Sequence, residues 1–217
     1  MEYLKLLCPI ITGYFVGSIN FSVIVTKYIG KFDIYSKGSG NAGGTNVART
    51  MGTGWGVAVI AIEILKCVAV GLFAKYIFPV DPLGLGELGP VITGTIAVFF
   101  CLIGNVFPLY SNFRGGKGVA TCAGLVVLID VRIFLVLLLI FLIVLACTRL
   151  VSLSSIIAAI SLVISIPIAY HNKENWWILF VLITIMIGIL LVRHRDNIVR
   201  LCNGTERKFK IKKCKKK

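Results

Sequence analysis

Long apolar runs separated by short polar loops dominate this 217-residue sequence. A hydrocarbon core about 30 Å thick needs roughly 20 residues of helix to cross it, and most of these runs are long enough. Hydrophobic residues make up 58% of the chain and charged residues only 15%, which is unlike a soluble domain. We therefore predict an all-α integral membrane protein with seven transmembrane helices. The apolar segments lie at about residues 4–26, 54–78, 88–109, 117–130, 131–148, 154–171 and 176–193.

The fourth segment differs from the others in length. Its apolar stretch, residues 119–129, is too short to cross a bilayer as a helix, and Asp130 and Arg132 separate it from the fifth segment. We predict a short or broken helix here, and a half-helix and a re-entrant segment both fit its length. We count it as a crossing, because a re-entrant segment would send the later loops to opposite sides.

Lysine and arginine are distributed unevenly between the two ends of these segments. With the N-terminus outside and seven crossings, 18 of the 23 Lys and Arg residues lie inside. Only Lys5, Lys75, Arg132 and Lys173 lie outside, and Lys66 lies within the second segment. The positive-inside rule then favours an external N-terminus and a cytoplasmic C-terminus. We expect one membrane domain, residues 1–206, and a basic cytoplasmic tail, residues 207–217.

The tail also explains much of the formal net charge of +14, because eight of its 11 residues are Lys or Arg. Charge concentrated in this way does not indicate nucleic-acid binding. Near an anionic membrane surface each basic residue contributes about 1 kcal/mol of attraction, so membrane lipids are the expected partner. The same charges also fit a purely topological role.

The first cytoplasmic loop contains a polar, glycine-rich stretch, residues 38–49. Its glycines leave backbone N–H groups free of Cβ obstruction, its amides and hydroxyls donate hydrogen bonds, and Arg49 adds a forked cation. These features predict a phosphate site at the membrane surface. A dinucleotide site is not expected, because the Gly38-x-Gly40-x-x-Gly43 spacing lacks a surrounding β-α-β unit.

Two further cytoplasmic loops carry residues suited to anions. In the second loop, residues 112–121, three glycines surround Lys117 just before an apolar segment, where a helix N-terminus favours negative charge. It is not a nucleotide P-loop, since Gly118 follows the lysine in place of Ser or Thr. In the third loop, residues 192–200, His194 lies between two arginines and is suited to bind phosphate or shuttle a proton. Turns, helix packing and topology would explain any one loop alone, but three on one face favour a single anion site.

Five motifs follow one another along the chain: Gly17-Ser18, Gly38-Ser39-Gly40-Asn41-x-Gly43-x-Thr45-Asn46-x-x-Arg49, Gly115-Gly116-Lys117-Gly118-x-Ala120-Thr121, Thr148-Arg149-x-x-Ser152-Leu153-x-Ser155 and His194-Arg195-x-Asn197-Ile198-x-Arg200-Leu201-x-x-Gly204-x-Glu206. Taken together and in this order, they resemble those of the PlsY family of bacterial acyl-phosphate-dependent glycerol-3-phosphate acyltransferases. The resemblance covers about residues 10–207 and implies seven spans with the N-terminus outside.

The resemblance implies transfer of a fatty acyl group from acyl phosphate to the 1-hydroxyl of sn-glycerol 3-phosphate, giving lysophosphatidate and phosphate. Neither coenzyme A, a metal nor another cofactor would be needed. Either His194 or a substrate phosphate would take the hydroxyl proton, with the phosphate slightly favoured, and Glu206 would support the third loop. The implied catalytic residues are Ser39, Arg49, Lys117, His194 and Asn197, and the implied substrate-binding residues are Gly40, Asn41, Thr45, Asn46, Gly115, Gly116, Gly118 and Ser155.

The resemblance also implies a multi-pass protein of the bacterial cytoplasmic membrane with its active site on the cytoplasmic face, and we expect it to function as a monomer. The alternative from another class is a transporter or channel for an organic phosphate. No internal repeat relates the two halves of the chain, and the basic residues cluster at one face, so this alternative is less favoured.

Several positions depart from the family pattern. Tyr35, Asn105 and Asn20 stand where an arginine, a histidine and a proline are usual, and Glu63 and Cys67 stand where Asp and Gly are usual. Glu63 and Lys66 keep opposite charges at positions i and i+3, which predicts a structural ion pair within the second segment.

Overall fold

The computed structural model describes residues 2–78 and 85–209, and these residues form helices and connecting loops without any strand. The helices pack as a bundle, with the largest buried core formed by side chains of the second half of α4 and of α5, α6, α8 and α9. The helices are α1 (Glu2–Ser18), α2 (Phe21–Tyr28), α3 (Gly44–Met51), α4 (Thr53–Ile77), α5 (Gly89–Val106), α6 (Val119–Ile129), α7 (Val131–Thr148), α8 (Val151–Tyr170), α9 (Trp176–Arg193) and α10 (Arg195–Cys202).

Six segments of the described chain are long and apolar enough to cross a membrane, which confirms the predicted all-helical membrane class. The fourth predicted segment forms α6, whose 11 residues extend over only about 16 Å. The prediction of a short fourth helix is therefore confirmed, while seven crossings remain a prediction. Asp130 ends α6 and caps α7, since its side chain accepts a hydrogen bond from the backbone N–H of Arg132 at 2.7 Å.

The first predicted segment is not one continuous helix. The chain leaves the helical path between Ser18 and Phe21, and the Asn20 side chain caps α2 by accepting hydrogen bonds from the backbone N–H groups of Ser22 and Val23 at 2.9 and 3.3 Å. A break within a membrane-spanning segment leaves backbone groups that need partners inside the protein. The predicted apolar segment over residues 4–26 corresponds to a candidate membrane span, Leu7–Tyr28, whose helix is interrupted because asparagine competes with the backbone for these hydrogen bonds.

An ion pair on α4 supplies the partners that this break requires. Lys66 Nζ lies 2.6 Å from Glu63 Oε2, so the predicted pair is confirmed. Glu63 Oε1 accepts a hydrogen bond from the Phe21 N–H at 2.9 Å, and Lys66 Nζ donates to the Ile19 carbonyl at 2.8 Å. Both charged groups therefore satisfy orphaned backbone groups of the α1–α2 junction as well as each other.

Small residues let α1 pack closely against α5. Gly13 and Gly17 form a Gly-x-x-x-Gly motif, and a Cβ atom placed on them would lie 2.3 Å from the Ala97 carbonyl oxygen and 2.2 Å from that of Cys101. Gly104 allows the same close approach from the α5 side, where a Cβ would lie 2.2 Å from the Tyr14 carbonyl oxygen. Close backbone approach of this kind drives helix association in lipid.

We expect Gly17→Val to destabilise the protein by about 1–3 kcal/mol, because the added methyl groups must push α5 away. Heating the detergent-solubilised protein with a thiol-reactive maleimide dye, after the exposed thiols such as Cys147 and Cys202 have been blocked, measures this, since the buried thiols of Cys67 and Cys101 react only after unfolding. Gly188→Val is the matched control, because a Cβ at Gly188 meets no atom within 4 Å. Equal melting temperatures for the two variants would contradict the role of Gly17.

Candidate active site

A cavity of about 790 Å³ opens at the end of the bundle where the three predicted loops meet. Among the predicted site residues, only Gly115 is absent from its lining. Its other wall is apolar and is formed by side chains of α4, α6, α7 and α8, including Ile60, Ala123, Phe134, Leu138 and Leu162. The cavity thus joins a polar, cationic half to an apolar half. The predicted residues that line it are Ser39, Gly40, Asn41, Thr45, Asn46, Arg49, Gly116, Lys117, Gly118, Ser155, His194 and Asn197.

Asn46 shapes the first loop from within. Its Oδ1 accepts a hydrogen bond from the Ser39 N–H at 2.8 Å, and its Nδ2 donates to the carbonyls of Ile34 and Lys37 at 3.2 and 3.0 Å. Gly38 has a φ of +65°, and a Cβ there would lie 2.1 Å from Asn46 Oδ1, so only glycine fits. Both N–H groups of the Asn46 carboxamide and one acceptor position of its oxygen are used within the loop, which favours an orienting role over direct substrate contact.

Arg49, on α3, carries a cation that is free to meet a ligand. Its side chain is half-buried and lines the cavity. Within residues 2–78 and 85–209 its guanidinium forms neither a hydrogen bond nor an ion pair. A guanidinium held at a cavity wall with its donors unused is suited to bidentate binding of a phosphate.

Lys117 is held in place by a chain of polar side chains. Its Nζ donates a hydrogen bond to Asn197 Oδ1, and Asn197 Nδ2 donates to Glu206 Oε1 at 2.7 Å. Ser152 Oγ donates to the same oxygen at 2.9 Å, and Arg200 Nε donates to Glu206 Oε2 at 2.8 Å. Glu206 therefore links α8 to α10, as expected for support of the third loop, and fixes the amide that orients Lys117.

Burial and neighbouring charges set the protonation of this chain. Burial alone raises the pKa of Glu206, but the hydrogen bonds from Arg200, Asn197 and Ser152 outweigh it, so its pKa lies below the usual value and the carboxylate is ionised. Burial lowers the pKa of Lys117 to about 8, with Glu206 opposing this and nearby arginines adding to it. Lys117 is therefore a cation at neutral pH that loses its proton easily.

His194 is buried between α9 and α10 and is neutral. Its Nδ1 lies 2.9 Å from the Leu190 carbonyl, which can only accept a hydrogen bond, so Nδ1 carries the proton and Nε2 does not. Burial and the charge of Lys117 lower the pKa of His194 to about 4. The ring can accept a hydrogen bond through Nε2 but is a weak base.

The glycines of the second loop do not all face the cavity. Some of them allow close packing of the backbone or form backbone hydrogen bonds. A Cβ on Gly115 would lie 2.1 Å from the Asn105 carbonyl oxygen, and the Gly116 N–H donates to that same carbonyl at 3.0 Å. Arg193 Nε and Nη2 donate to the Gly116 and Gly115 carbonyls at 3.3 and 3.2 Å. Gly118 caps α6 with a φ of +80°. Gly115 therefore fixes the loop from behind the cavity.

Several residues around the cavity were missed by the sequence interpretation as site residues. Arg193 and Arg200 lie at opposite ends of the third loop. Nothing in the sequence indicated which of the two arginines contacts the second loop. Arg207 was assigned to the tail, yet it lines the cavity and its Nη1 donates to the Gly38 carbonyl at 2.7 Å. Asn20 and Asn105 also line the cavity, and Asn105 Nδ2 lies 3.4 Å from Glu63 Oε2. In the described part of the chain, no three His, Cys, Asp or Glu side chains come together as metal ligands.

The fold and the cavity define a class: a multi-helix integral membrane protein with a phosphate-suited cationic site beside an apolar groove. The family model for glycerol-3-phosphate acyltransferase matches residues 7–204. The chain belongs to this family.

Curated relatives and solved structures agree with this assignment. The chain is 39% identical over 213 residues to the glycerol-3-phosphate acyltransferase of Finegoldia magna, covering 96% of this chain and 98% of the relative. It is 40% identical over 202 residues to that of Staphylococcus carnosus, covering 93% and 96%. The crystal structure of PlsY, an integral membrane glycerol 3-phosphate acyltransferase, in its glycerol 3-phosphate form has a TM-score of 0.82 and 31% identity over 94% of this chain and 96% of that one. Its lysophosphatidic acid form has a TM-score of 0.76 with 31% identity, over 94% and 95%.

Proposed function

We propose that this protein transfers a fatty acyl group from acyl phosphate to the 1-hydroxyl of sn-glycerol 3-phosphate, releasing phosphate and lysophosphatidate. The observation that carries the proposal is the cavity itself, in which Arg49 and Lys117 adjoin the apolar wall of α7 and α8. An acyl phosphate has the matching shape, with an anionic head and an apolar chain. Binding of glycerol 3-phosphate is supported by the relatives' activity and by the ligand of the solved PlsY structure.

The chemistry needs positioning and charge stabilisation rather than a protein nucleophile. Oxygen 1 of the acceptor attacks the acyl carbonyl carbon, the carbon–oxygen bond to phosphate breaks, and phosphate leaves with the electron pair. Arg49 and Lys117 stabilise the negative charge that develops on the leaving phosphate. Ser39, Asn41, Thr45 and Ser155 donate or accept hydrogen bonds around the two substrates. Asn197 acts through Lys117.

A substrate phosphate is the better base for the hydroxyl proton. A phosphate monoester has a second pKa near 6, whereas the pKa of His194 is about 4. The neutral His194 ring accepts a hydrogen bond through Nε2 and so orients the acceptor hydroxyl or a phosphate O–H. This preference rests on the two basicities and on the tautomer fixed by the Leu190 carbonyl.

We further infer seven crossings, an external N-terminus and an active site on the cytoplasmic face of the bacterial inner membrane. All three loops and the start of α8, at Val151 and Ser152, line one cavity, so each intervening pair of helices returns to the same face. In this count of crossings, α6 and α7 form one such pair. The excess of Lys and Arg at the face where the cavity opens supports the cytoplasmic location of that face. The single membrane domain of residues 1–206 and monomeric function stay proposals, and residues 210–217 of the tail lie outside the described residues.

The direct test is an assay of the purified protein in mild detergent with palmitoyl phosphate and sn-glycerol 3-phosphate. We expect phosphate release that requires both substrates and yields lysophosphatidate, with no product from palmitoyl-coenzyme A. Uptake of labelled glycerol 3-phosphate into sealed vesicles without acyl phosphate would instead identify an organic-phosphate transporter. Well-folded protein that gives no lysophosphatidate from several acyl phosphates would refute the proposal.

The protonation of Lys117 predicts how activity depends on pH. The cation is present below its pKa of about 8 and is lost as the pH rises, while glycerol 3-phosphate stays a dianion above its second pKa near 6. We expect kcat/KM for glycerol 3-phosphate to fall above pH 8, approaching tenfold per pH unit. Lys117→Arg keeps its charge throughout this range and should flatten the profile, whatever its absolute rate. The same alkaline fall of kcat/KM in Lys117→Arg would show that another group, and not Lys117, loses the proton responsible.

A further inference from the structure

Tyr35 joins the first loop to the second loop. It lies just before the glycine-rich stretch of the first loop, and its hydroxyl donates a hydrogen bond to the carbonyl of Arg114. The Arg114 guanidinium also lies over the Tyr35 ring, 4.5 Å from its centroid, as in a cation–π contact. Two residues that are 79 positions apart in the sequence therefore meet through both a backbone group and a side chain.

The Arg114 carbonyl is the first of three consecutive carbonyls that precede Lys117. Those of Gly115 and Gly116 accept hydrogen bonds from Nη2 and Nε of Arg193, in the third loop, at 3.2 and 3.3 Å. Side chains of the first and third loops thus hold these carbonyls from two sides. Because a carbonyl oxygen carries partial negative charge, its engagement by a protein donor keeps it from repelling a phosphate bound at Lys117.

The backbone just before these carbonyls is strained. Asn112 and Phe113 adopt left-handed φ values of +50° and +58°. Phenylalanine rarely occupies this region, since its Cβ comes too close to the following carbonyl oxygen. Conformations of this kind persist where surrounding contacts enforce them. The hydrogen bond from Tyr35 is such a contact, because it ties down Arg114, the residue at which the strained turn ends.

Tyr35 is itself held on a rigid base. It lies in a single turn of 3-10 helix, Ile34–Ser36, and its backbone N–H donates to Asp33 Oδ1 at 3.0 Å. The Ile34 side chain is buried, and the Ile34 carbonyl accepts a hydrogen bond from Asn46 at 3.2 Å. Burial raises the pKa of Tyr35, so its hydroxyl keeps its proton in the neutral and mildly alkaline range and can donate.

We propose that Tyr35 is a positioning residue for acyl transfer, because its hydroxyl fixes the backbone that presents Lys117 to the phosphate. The contact between Tyr35 and Arg114 does not depend on the reaction, whereas its effect on the rate rests on the proposed function. In Tyr35→Phe the ring and its contact with the Arg114 guanidinium remain, and the hydrogen bond is lost. The variant therefore isolates the bond without opening a cavity.

Hydrogen–deuterium exchange of the full chain in mild detergent tests the positioning without any activity. The Arg114 and Gly116 amides each donate to a backbone carbonyl at 3.0 Å, so their exchange reports whether this segment opens. We expect both amides to exchange about threefold faster or more in Tyr35→Phe. Tyr76→Phe is the matched control, because Tyr76 is exposed near the end of α4 that lies away from the cavity and should leave the exchange unchanged.

Kinetics then test whether the positioning reaches Lys117. Loss of one neutral hydrogen bond should lower kcat/KM for glycerol 3-phosphate by about three- to tenfold. Burial is the largest cause of the lowered pKa of Lys117. A loosened segment that admits water should therefore raise this pKa and move the alkaline fall of kcat/KM to a higher pH. The titratable and charged groups around Lys117 are unchanged in the variant, and they are Glu206, Arg200, Arg49, Arg193 and the neutral His194.

Unchanged exchange in Tyr35→Phe would overturn the proposal, and so would a full rate with an unshifted pH profile. A lower rate with the wild-type pH profile would also overturn it, because reduced stability of the fold would then explain the loss. Faster exchange in Tyr35→Phe, combined with a wild type that forms no lysophosphatidate, would support the positioning of the segment and count against the proposed function alone.

Discussion

Lys117→Ala should lower kcat/KM for acyl transfer by about 10²–10³-fold, the range for removal of one preorganised charge donor from an active site. Lys117 is the single lysine of the second loop, it lines the cavity, and its orientation is fixed by Asn197 and Glu206. The loss should affect kcat as well as KM, because charge on the departing phosphate grows in the transition state. Initial rates of phosphate release at pH 7 measure it.

Lys173→Ala is the matched control for this loss. Lys173 is exposed and pairs with Glu87 at the other end of the bundle, so its removal should leave the rate unchanged. The melting temperature of Lys117→Ala should stay close to that of the wild type, since burial already disfavours the charged amine. Activity within threefold of wild type in a folded Lys117→Ala protein would exclude Lys117 from charge stabilisation.

Arg49→Ala should also lower kcat/KM by about 10²-fold or more, because a guanidinium that binds phosphate through two charge-assisted hydrogen bonds contributes several kcal/mol. Since the guanidinium has no partner among the described residues, its loss leaves no protein group unpaired. The change in rate therefore reports substrate binding rather than damage to the site. The measurement is kcat/KM for each substrate in turn, which shows which phosphate Arg49 contacts.

Arg49→Lys separates charge from geometry at this position. A lysine keeps the charge but loses the planar fork. We therefore expect kcat/KM of Arg49→Lys to stay within about tenfold of that of Arg49→Ala. Arg132→Ala is the control, because Arg132 is exposed and pairs with Asp130. Full activity in Arg49→Lys would show that a point charge is sufficient and that bidentate binding is not used.

The all-helical membrane class could be predicted because the length of an apolar run is a strong local signal. The short α6 was predicted from the same signal, since Asp130 and Arg132 cut the apolar run at a visible place. The break at Asn20 was not predicted, because its stability depends on Glu63 and Lys66, which are distant in sequence. A local pattern of apolar residues does not reveal partners of this kind.

The sequence predicted a set of candidate site residues, and their division into catalytic and substrate-binding roles stays a prediction. Glycine, amide and basic residues in three loops indicate an anion site, and the structure brings nearly all of them to one cavity. Which of them can contact a ligand depends on backbone contacts: the carboxamide of Asn46 lines the cavity but forms hydrogen bonds within its own loop, while Gly115 lies behind the cavity. Arg207 was missed because it begins a run of basic residues, and the sequence does not indicate that this arginine folds back onto the first loop.

The pairing of Glu63 and Lys66 with the α1–α2 junction constrains the order in which the chain can mature during synthesis. The Phe21 N–H and the Ile19 carbonyl acquire these partners only from residues made more than 40 positions later, on α4. Until α4 enters the bilayer, the first segment carries two polar backbone groups without these partners in or near hydrocarbon. The nascent first segment must therefore stay at the insertion machinery or near the water interface, and a variant lacking the α4 ion pair should be recognised by quality-control proteases before any catalytic defect arises.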